Sequence, residues 1–92
     1  NQPFSKSTFF NFGRFLSSIE AKEKWYTYYV NAYSDFSEPY YLLAQEKQRL
    51  NKKDEAIKNY EMALELFHKT DHVILEDIFA RIINNRLKKL KN

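Results

Sequence analysis

The sequence of 92 residues has no cysteine, one glycine, two prolines and one tryptophan. The absence of cysteine excludes disulfides and thiolate metal sites, and it leaves the redox compartment unread. So little glycine and proline leaves few points at which a helix would be broken, which favours an all-helical chain. No apolar run approaches the roughly 18 residues that a membrane span needs. Catalytic signatures are equally sparse, with no glycine-rich phosphate loop, no nucleophile elbow and no histidine pair at metal spacing on one predicted helix. His68 and His72 stand four apart, but a predicted loop separates them and Asp71 is the only adjacent carboxylate, so no metal site is expected. Asp54, Glu61 and Glu65 read as solvated positions on a helix face, because two carboxylates form an acid/base pair only where a pocket shifts one of them. Neither an enzyme nor a cofactor-binding protein is expected. The net charge of +3 is compatible with an anionic partner without requiring one.

What the chain does contain is aromatic bulk and helical periodicity. Fifteen residues are Phe or Tyr, enough to supply volume to a small core. The clearest pattern lies in residues 54–68. Ala56, Tyr60, Ala63, Leu64 and Phe67 recur at three- and four-residue steps and so share one helix face. Two alanines on a buried face let a neighbouring backbone come close, and Tyr60 between them fills the crossing. The expected neighbour is a helix over 38–50, with Ser37 as its cap and Pro39 tolerated in its first turn. Tyr40, Leu43, Ala44 and Lys47 would form its inner face. Asn51-Lys52-Lys53 makes a tight link in which Asn51 can turn left-handed, and Asp54 would cap the next helix. So short a link makes the pair an antiparallel hairpin.

These residues resemble a tetratricopeptide repeat (TPR). Tyr40-x-x-Leu43-Ala44, followed by Ala56, Tyr60, Ala63 and Leu64, matches the pattern of large, Leu and small residues on a first helix and Ala, aromatic, Ala on a second. The match is strong over residues 37–67. His68 stands where the pattern has a closing proline, Lys47 where it has an aromatic, and Asn51 where it has the turn glycine. The resemblance implies an all-α fold of stacked antiparallel hairpins, with five helices over 7–16, 19–34, 38–50, 54–68 and 72–90 in one domain spanning residues 1–92. Residues 1–6 would be an irregular lead-in. Ala21, Trp25 and Tyr28 precede Ala56, Tyr60 and Ala63 by 35 positions, so the second helix resembles part of a degenerate preceding repeat. The last would be a terminal capping helix.

The remaining segments are read from their own residues. Phe9, Phe10, Phe12 and Phe15 surround Gly13, which costs about 1 kcal/mol in a helix interior. They would form either a hook for a partner or, as preferred, a lid on the second helix. Ser17-x-x-Glu20 has the form of a capping box. Trp25, Tyr28, Tyr29 and Ala32 form the main apolar face of the second helix, and Tyr26, Val30 and Tyr33 widen it to an arc of roughly 200°. Thr70 or Asp71 would cap the last helix, whose stripe is Leu75, Ile78, Phe79, Ile82, Ile83 and Leu90, with Val73, Ile74 and Leu87 at its edges. Its basic end, Arg81, Arg86, Lys88, Lys89 and Lys91, suits the helix dipole. Because the chain begins at Asn1 rather than Met, it reads as a segment of a longer protein.

The resemblance implies capture of a protein or peptide on a concave surface lined by first helices. The positions that map there are Glu38, Tyr41, Gln45, Gln48 and Arg49. Leu42 occupies the place of an Asn in chaperone-tail binders, which argues against that ligand. Two other readings compete. Ala56, Tyr60 and Ala63 with segment 72–90 also resemble microtubule-interacting and trafficking domains, which bind helical tails of membrane-remodelling proteins but would not require residues 7–36. The basic end of the last helix offers phosphate contacts, yet no aromatics are interleaved there for base stacking, so nucleic acid is the weakest of the three. Self-association is compatible with so short an array. The compartment is not fixed by the sequence, the cytoplasm being favoured.

Overall fold

The computed structural model describes residues 4–69 and 76–92, with the side chains of residues 76 and 77 excepted. Among them it contains five helices and no strand: α1 (Lys6–Phe15), α2 (Ile19–Ala32), α3 (Ser37–Arg49), α4 (Lys53–His68) and α5 (Glu76–Lys91). The chain is all-α. Each helix packs against the next in sequence, and residue pairings show that neighbours run antiparallel. Glu23 near the start of α2 meets Lys47 near the end of α3, while Tyr29 meets Glu38. Lys47 also meets Glu55 at the start of α4, while Tyr41 meets Tyr60 further along. The extents are 32 × 32 × 18 Å, and the short dimension is close to two helix diameters of about 10 Å each.

Helix α3 lies between two clusters. On one side Ala44, Ala56, Tyr60, Ala63, Ile83 and Leu87 are buried together, joining α3, α4 and α5. The two α4 alanines and Tyr60 have no exposed surface, as their spacing predicts. On the other side Phe9, Tyr26, Tyr29 and Leu43 join α1, α2 and α3. Phe9 stacks on Tyr29 with ring centroids 4.8 Å apart and meets Trp25, Tyr28 and Tyr33 as well. The lid reading of α1 therefore holds for Phe9 and in part for Phe12, whose ring lies 4.8 Å from Trp25 while half of it stays exposed, whereas Phe15 is turned outward. Tyr26 and Tyr29 are the most buried residues of α2, while Tyr28 is exposed and Trp25 only half-buried, so the face that is sealed is rotated from the one expected.

Gly13 explains that rotation. A Cβ built there would lie 2.6 Å from the Tyr26 ring and hydroxyl, so the missing side chain is the notch that admits Tyr26. We expect Gly13→Ala to destabilise the fold by about 1–3 kcal/mol despite the better helix propensity of alanine, because the buried Tyr26 ring has no room to move aside. Adding Tyr26→Leu should recover part of the loss in a urea titration. A G13A chain more stable than the wild type would refute the notch.

Several local expectations shift by one or two residues. Ser18 rather than Ser17 caps α2, its hydroxyl accepting from the Ala21 N–H at 3.0 Å, so the Ser17–Glu20 capping box is not formed. Ser5 caps α1 in the same way by accepting from Thr8, placing the helix start inside the expected lead-in. Helix α3 begins at Ser37 with Phe36 at its cap, and α4 begins at Lys53 with Lys52 at its cap. Neither has a side-chain cap bond, so Ser37 and Asp54 sit in first turns. Asn51 adopts φ 60°, the left-handed turn expected of it. The expected start of the last helix, and Val73, Ile74 and Leu75, lie outside the described residues. In the remainder of α5 the centre of the buried face is Ile83 and Leu87, not the Ile78 and Ile82 side, which is exposed.

Lys47, where the repeat pattern has an aromatic, joins three helices electrostatically. Its ammonium lies 2.6 Å from Glu23 and 2.8 Å from Glu55, and Lys52 adds a 2.8 Å contact to Glu23. Burial pulls the Lys47 ammonium down, but its bonds to Glu23 and Glu55 outweigh this and leave its pKa raised. Hydrogen bonds from Lys47 and then Lys52 hold the Glu23 carboxyl below its usual range. Polar links of this kind occupy the α3 surface that an apolar ring would otherwise fill.

Candidate partner-binding surface

With α2 against Leu43 and α4 against Ala44, one face of α3 is left for other contacts. Glu38, Gln45 and Arg49 lie along it, and Tyr41 and Gln48 border it toward α5. Glu38 and Arg49 are exposed, while Tyr41, Gln45 and Gln48 are half-buried. Each of the five has an internal contact that fixes it. The Tyr29 hydroxyl donates to Glu38 Oε1 at 2.9 Å. Gln45 Nε2 donates to the Tyr41 hydroxyl at 3.2 Å. The Tyr60 hydroxyl donates to Gln48 Oε1 at 2.7 Å. Arg49 Nη1 donates to Oε2 of Glu46, a carboxylate only 2% exposed.

These contacts also set the tyrosine hydroxyls. Burial, followed by the bond to Glu38, pushes Tyr29 far above the ordinary phenol value. Burial likewise raises Tyr60, with Arg86 pulling in the opposite direction. Both hydroxyls stay protonated donors at neutral pH. Because its carbonyl oxygen is occupied by Tyr60, Gln48 has its amide N–H to offer a ligand.

Helix α5 completes the surface. The Phe79 ring lies 5.4 Å from Tyr41, and the Arg86 guanidinium lies 6.0 Å from the Tyr41 ring centroid. Below them Gln48, Ile82, Asn85, Arg86 and Lys89 line an open depression of about 280 Å³. Of the five residues expected from sequence, only Gln48 lines it. Tyr41 adjoins it through its contact with Arg86, while the exposed Glu38 and Arg49 lie on the adjoining α3 surface. From sequence Arg86 and Lys89 are expected only as phosphate contacts of the basic helix end and Ile82 only as part of the apolar stripe, although Ile82, Asn85, Arg86 and Lys89 fall at steps of three, one and three and therefore share a helix face. That spacing was the available signal, hidden because Arg86 and Lys89 were grouped with a general basic helix end.

The depression offers amide groups from Gln48 and Asn85, two cations and one exposed apolar side chain, and among the described residues no carboxylate lines it. It can donate hydrogen bonds to a ligand and meet negative charge there, and the described residues that line it include no nucleophile or acid/base pair. The five basic residues of α5 take different positions. Arg86 and Lys89 line the depression, Lys91 pairs with Glu61 at 2.8 Å, and Arg81 and Lys88 are exposed two helical turns apart. No group of three or more potential metal ligands occurs among the described residues, and His72 and Asp71 lie outside them. Compared with family models, curated proteins and solved structures, the chain finds no significant match.

Proposed function

We propose that this chain is a non-enzymatic protein-interaction module of TPR-like kind, whose α3–α5 depression takes an acidic stretch of a peptide. The observation that carries the reading is the lining itself: Arg86 and Lys89 with Gln48 and Asn85, beside Tyr41 and the α3 face of Glu38, Gln45 and Arg49. Amide and guanidinium donors suit peptide carbonyls and carboxylates, and Ile82 provides apolar contact. The continuous packing of α2 on α3 favours a stacked array over the three-helix, trafficking-domain-like alternative, since Leu43 would lose its cover without residues 7–36. The splitting of the α5 cations into separate positions favours a peptide over a nucleic-acid backbone, which is tracked by a continuous basic groove.

The test is a fluorescence-anisotropy screen of labelled peptides that differ in acidic content. Acidic peptides should bind best, and Lys89→Glu should weaken them at least about tenfold, the scale of one well-placed charge pair. Lys89 is exposed, so circular dichroism should show the fold retained. Equal affinity of the wild type and K89E for every binding peptide would reject the depression as the site.

A further inference from the structure

A second surface stands apart from that depression. At the corner between α1 and α2, Phe15 is 85% exposed, Phe12 51% and Tyr28 42%. Ile19 at the start of α2 is exposed too. Behind them Phe12, Leu16, Ala21, Lys24, Trp25 and Tyr28 line a shallow hollow of about 300 Å³. Single exposed apolar residues are ordinary, but a contiguous aromatic cluster marks a contact surface. The cluster is also rigidly mounted. Phe9 is fully buried beneath it, and Trp25 Nε1 donates to the Phe9 carbonyl at 2.7 Å.

Charge and shape select the occupant. From Phe12 to Trp25 the cations are Arg14, Lys22 and Lys24 and the acids are Glu20 and Glu23, while Lys6, at the far end of α1, lies over the Phe36 ring. Glu23 is already held by Lys47 and Lys52, so the corner presents excess positive charge. A second copy would bring the same charge. Phe4, Phe36, Met62, Ile78 and Ile82 are also exposed, and the last two lie on the helix that carries Arg81, Lys88 and Lys89, so a head-to-tail contact there would also oppose like charges. Phe15, 85% exposed, projects from the corner and is not among the residues that line the hollow. A projecting aromatic ring with lysine and arginine beside it is suited to the headgroup boundary of a lipid layer, where rings enter and cations meet phosphates.

We propose that the α1–α2 corner docks on an anionic bilayer surface. Phe15 and Phe12 enter the headgroup boundary, while Arg14, Lys22 and Lys24 face the lipid phosphates. The contact is peripheral, since no helix among the described residues is long and apolar enough to cross a membrane. It does not depend on peptide capture at the α3–α5 depression.

The full chain tests this with vesicles of equal parts phosphatidylserine and phosphatidylcholine, compared with phosphatidylcholine alone. Trp25, the single tryptophan, lines the hollow and reports directly. Its emission should shift to the blue on anionic vesicles, with binding that weakens as salt rises. Phe15→Ser should reduce partitioning about tenfold or more, the scale of losing one buried aromatic side chain, and its exposure leaves the fold intact. Lys24→Glu should weaken binding further, and Lys88→Glu with Lys89→Glu should leave it unchanged. Absence of binding to anionic vesicles at low salt would overturn the proposal, as would equal binding by F15S and the wild type. Loss in the α5 double variant instead would move the contact to α5. Sedimentation showing a dimer that F15S dissociates, without vesicle binding, would make the corner a self-association face and equally refute it.

Discussion

Tyr60→Ala is expected to abolish most of the folded population at room temperature. The Tyr60 ring has no exposed surface and lies at the α3–α4 crossing, flanked by Ala56 and Ala63 on its own helix and facing Ala44. Removing a buried aromatic ring costs about 3–5 kcal/mol when its surroundings cannot collapse into the space. The loss is compounded at Gln48, whose oxygen accepts the Tyr60 hydroxyl at 2.7 Å and would lose its donor. A domain of this size has a total stability near the lower end of the usual range, about 5 kcal/mol, so a loss on that scale is decisive. Tyr60→Phe removes only the hydroxyl and should cost about 1 kcal/mol. Urea titrations followed by far-ultraviolet circular dichroism measure both. A Tyr60→Ala midpoint close to that of Tyr60→Phe would show that the crossing is not the centre of the fold.

A steep alkaline unfolding transition is the second large effect expected. Tyr26, Tyr29, Tyr40 and Tyr60 are all raised above the ordinary phenol value of about 10, in each case chiefly by burial. A group with a folded pKa above its unfolded value contributes stability that is complete below the unfolded pKa and is lost as pH rises toward the folded one. Each of the four tyrosines therefore withdraws stability as pH rises above its unfolded value, and their effects add in the same direction. Lys47 acts in the same direction, because its two glutamate partners hold it above its ordinary value against burial. The chain should lose stability and unfold as pH rises above about 10. On the acid side the lowered Glu23 contributes stability above its unfolded pKa and loses it as pH falls through the folded value, so that limb should be shallower. Helix content and phenolate absorbance followed in one titration should change together. Complete ionisation of the tyrosines with the helices intact would contradict the burial argument.

The parts of the fold that were legible in advance rest on local periodicity. Ala56, Tyr60, Ala63 and Phe67 repeat at helical spacing, and a face so defined has one direction in which to be buried. Asn51 was legible because a three-residue link between antiparallel helices needs a left-handed turn that few residues tolerate. Helix starts were less legible. Adjacent Ser17 and Ser18 offer similar caps, and packing rather than capping energy fixes which is used. The same holds at Phe36 and Lys52, where tertiary contacts sustain a start without any side-chain cap.

Of the candidate surface, the α3 positions could be placed from helical geometry alone, because α3 has two packed sides and one remaining face. The α5 half could not. Residues on two helices become one depression only when α5 leans on Tyr41 through Phe79, a contact between positions far apart in the chain. In α2 the apolar arc was so wide that periodicity left its orientation open. The single glycine in α1 decided it by admitting the Tyr26 ring. Sequence alone determined that this chain is helical and that α4 would meet α3 through small side chains, since both follow from the period of a backbone that repeats every 3.6 residues. Which side of α2 is sealed, which cations of α5 gather beside Gln48 and which phenylalanines stay in water were decided by tertiary structure. Each depends on whether a particular ring finds a matching space on another helix.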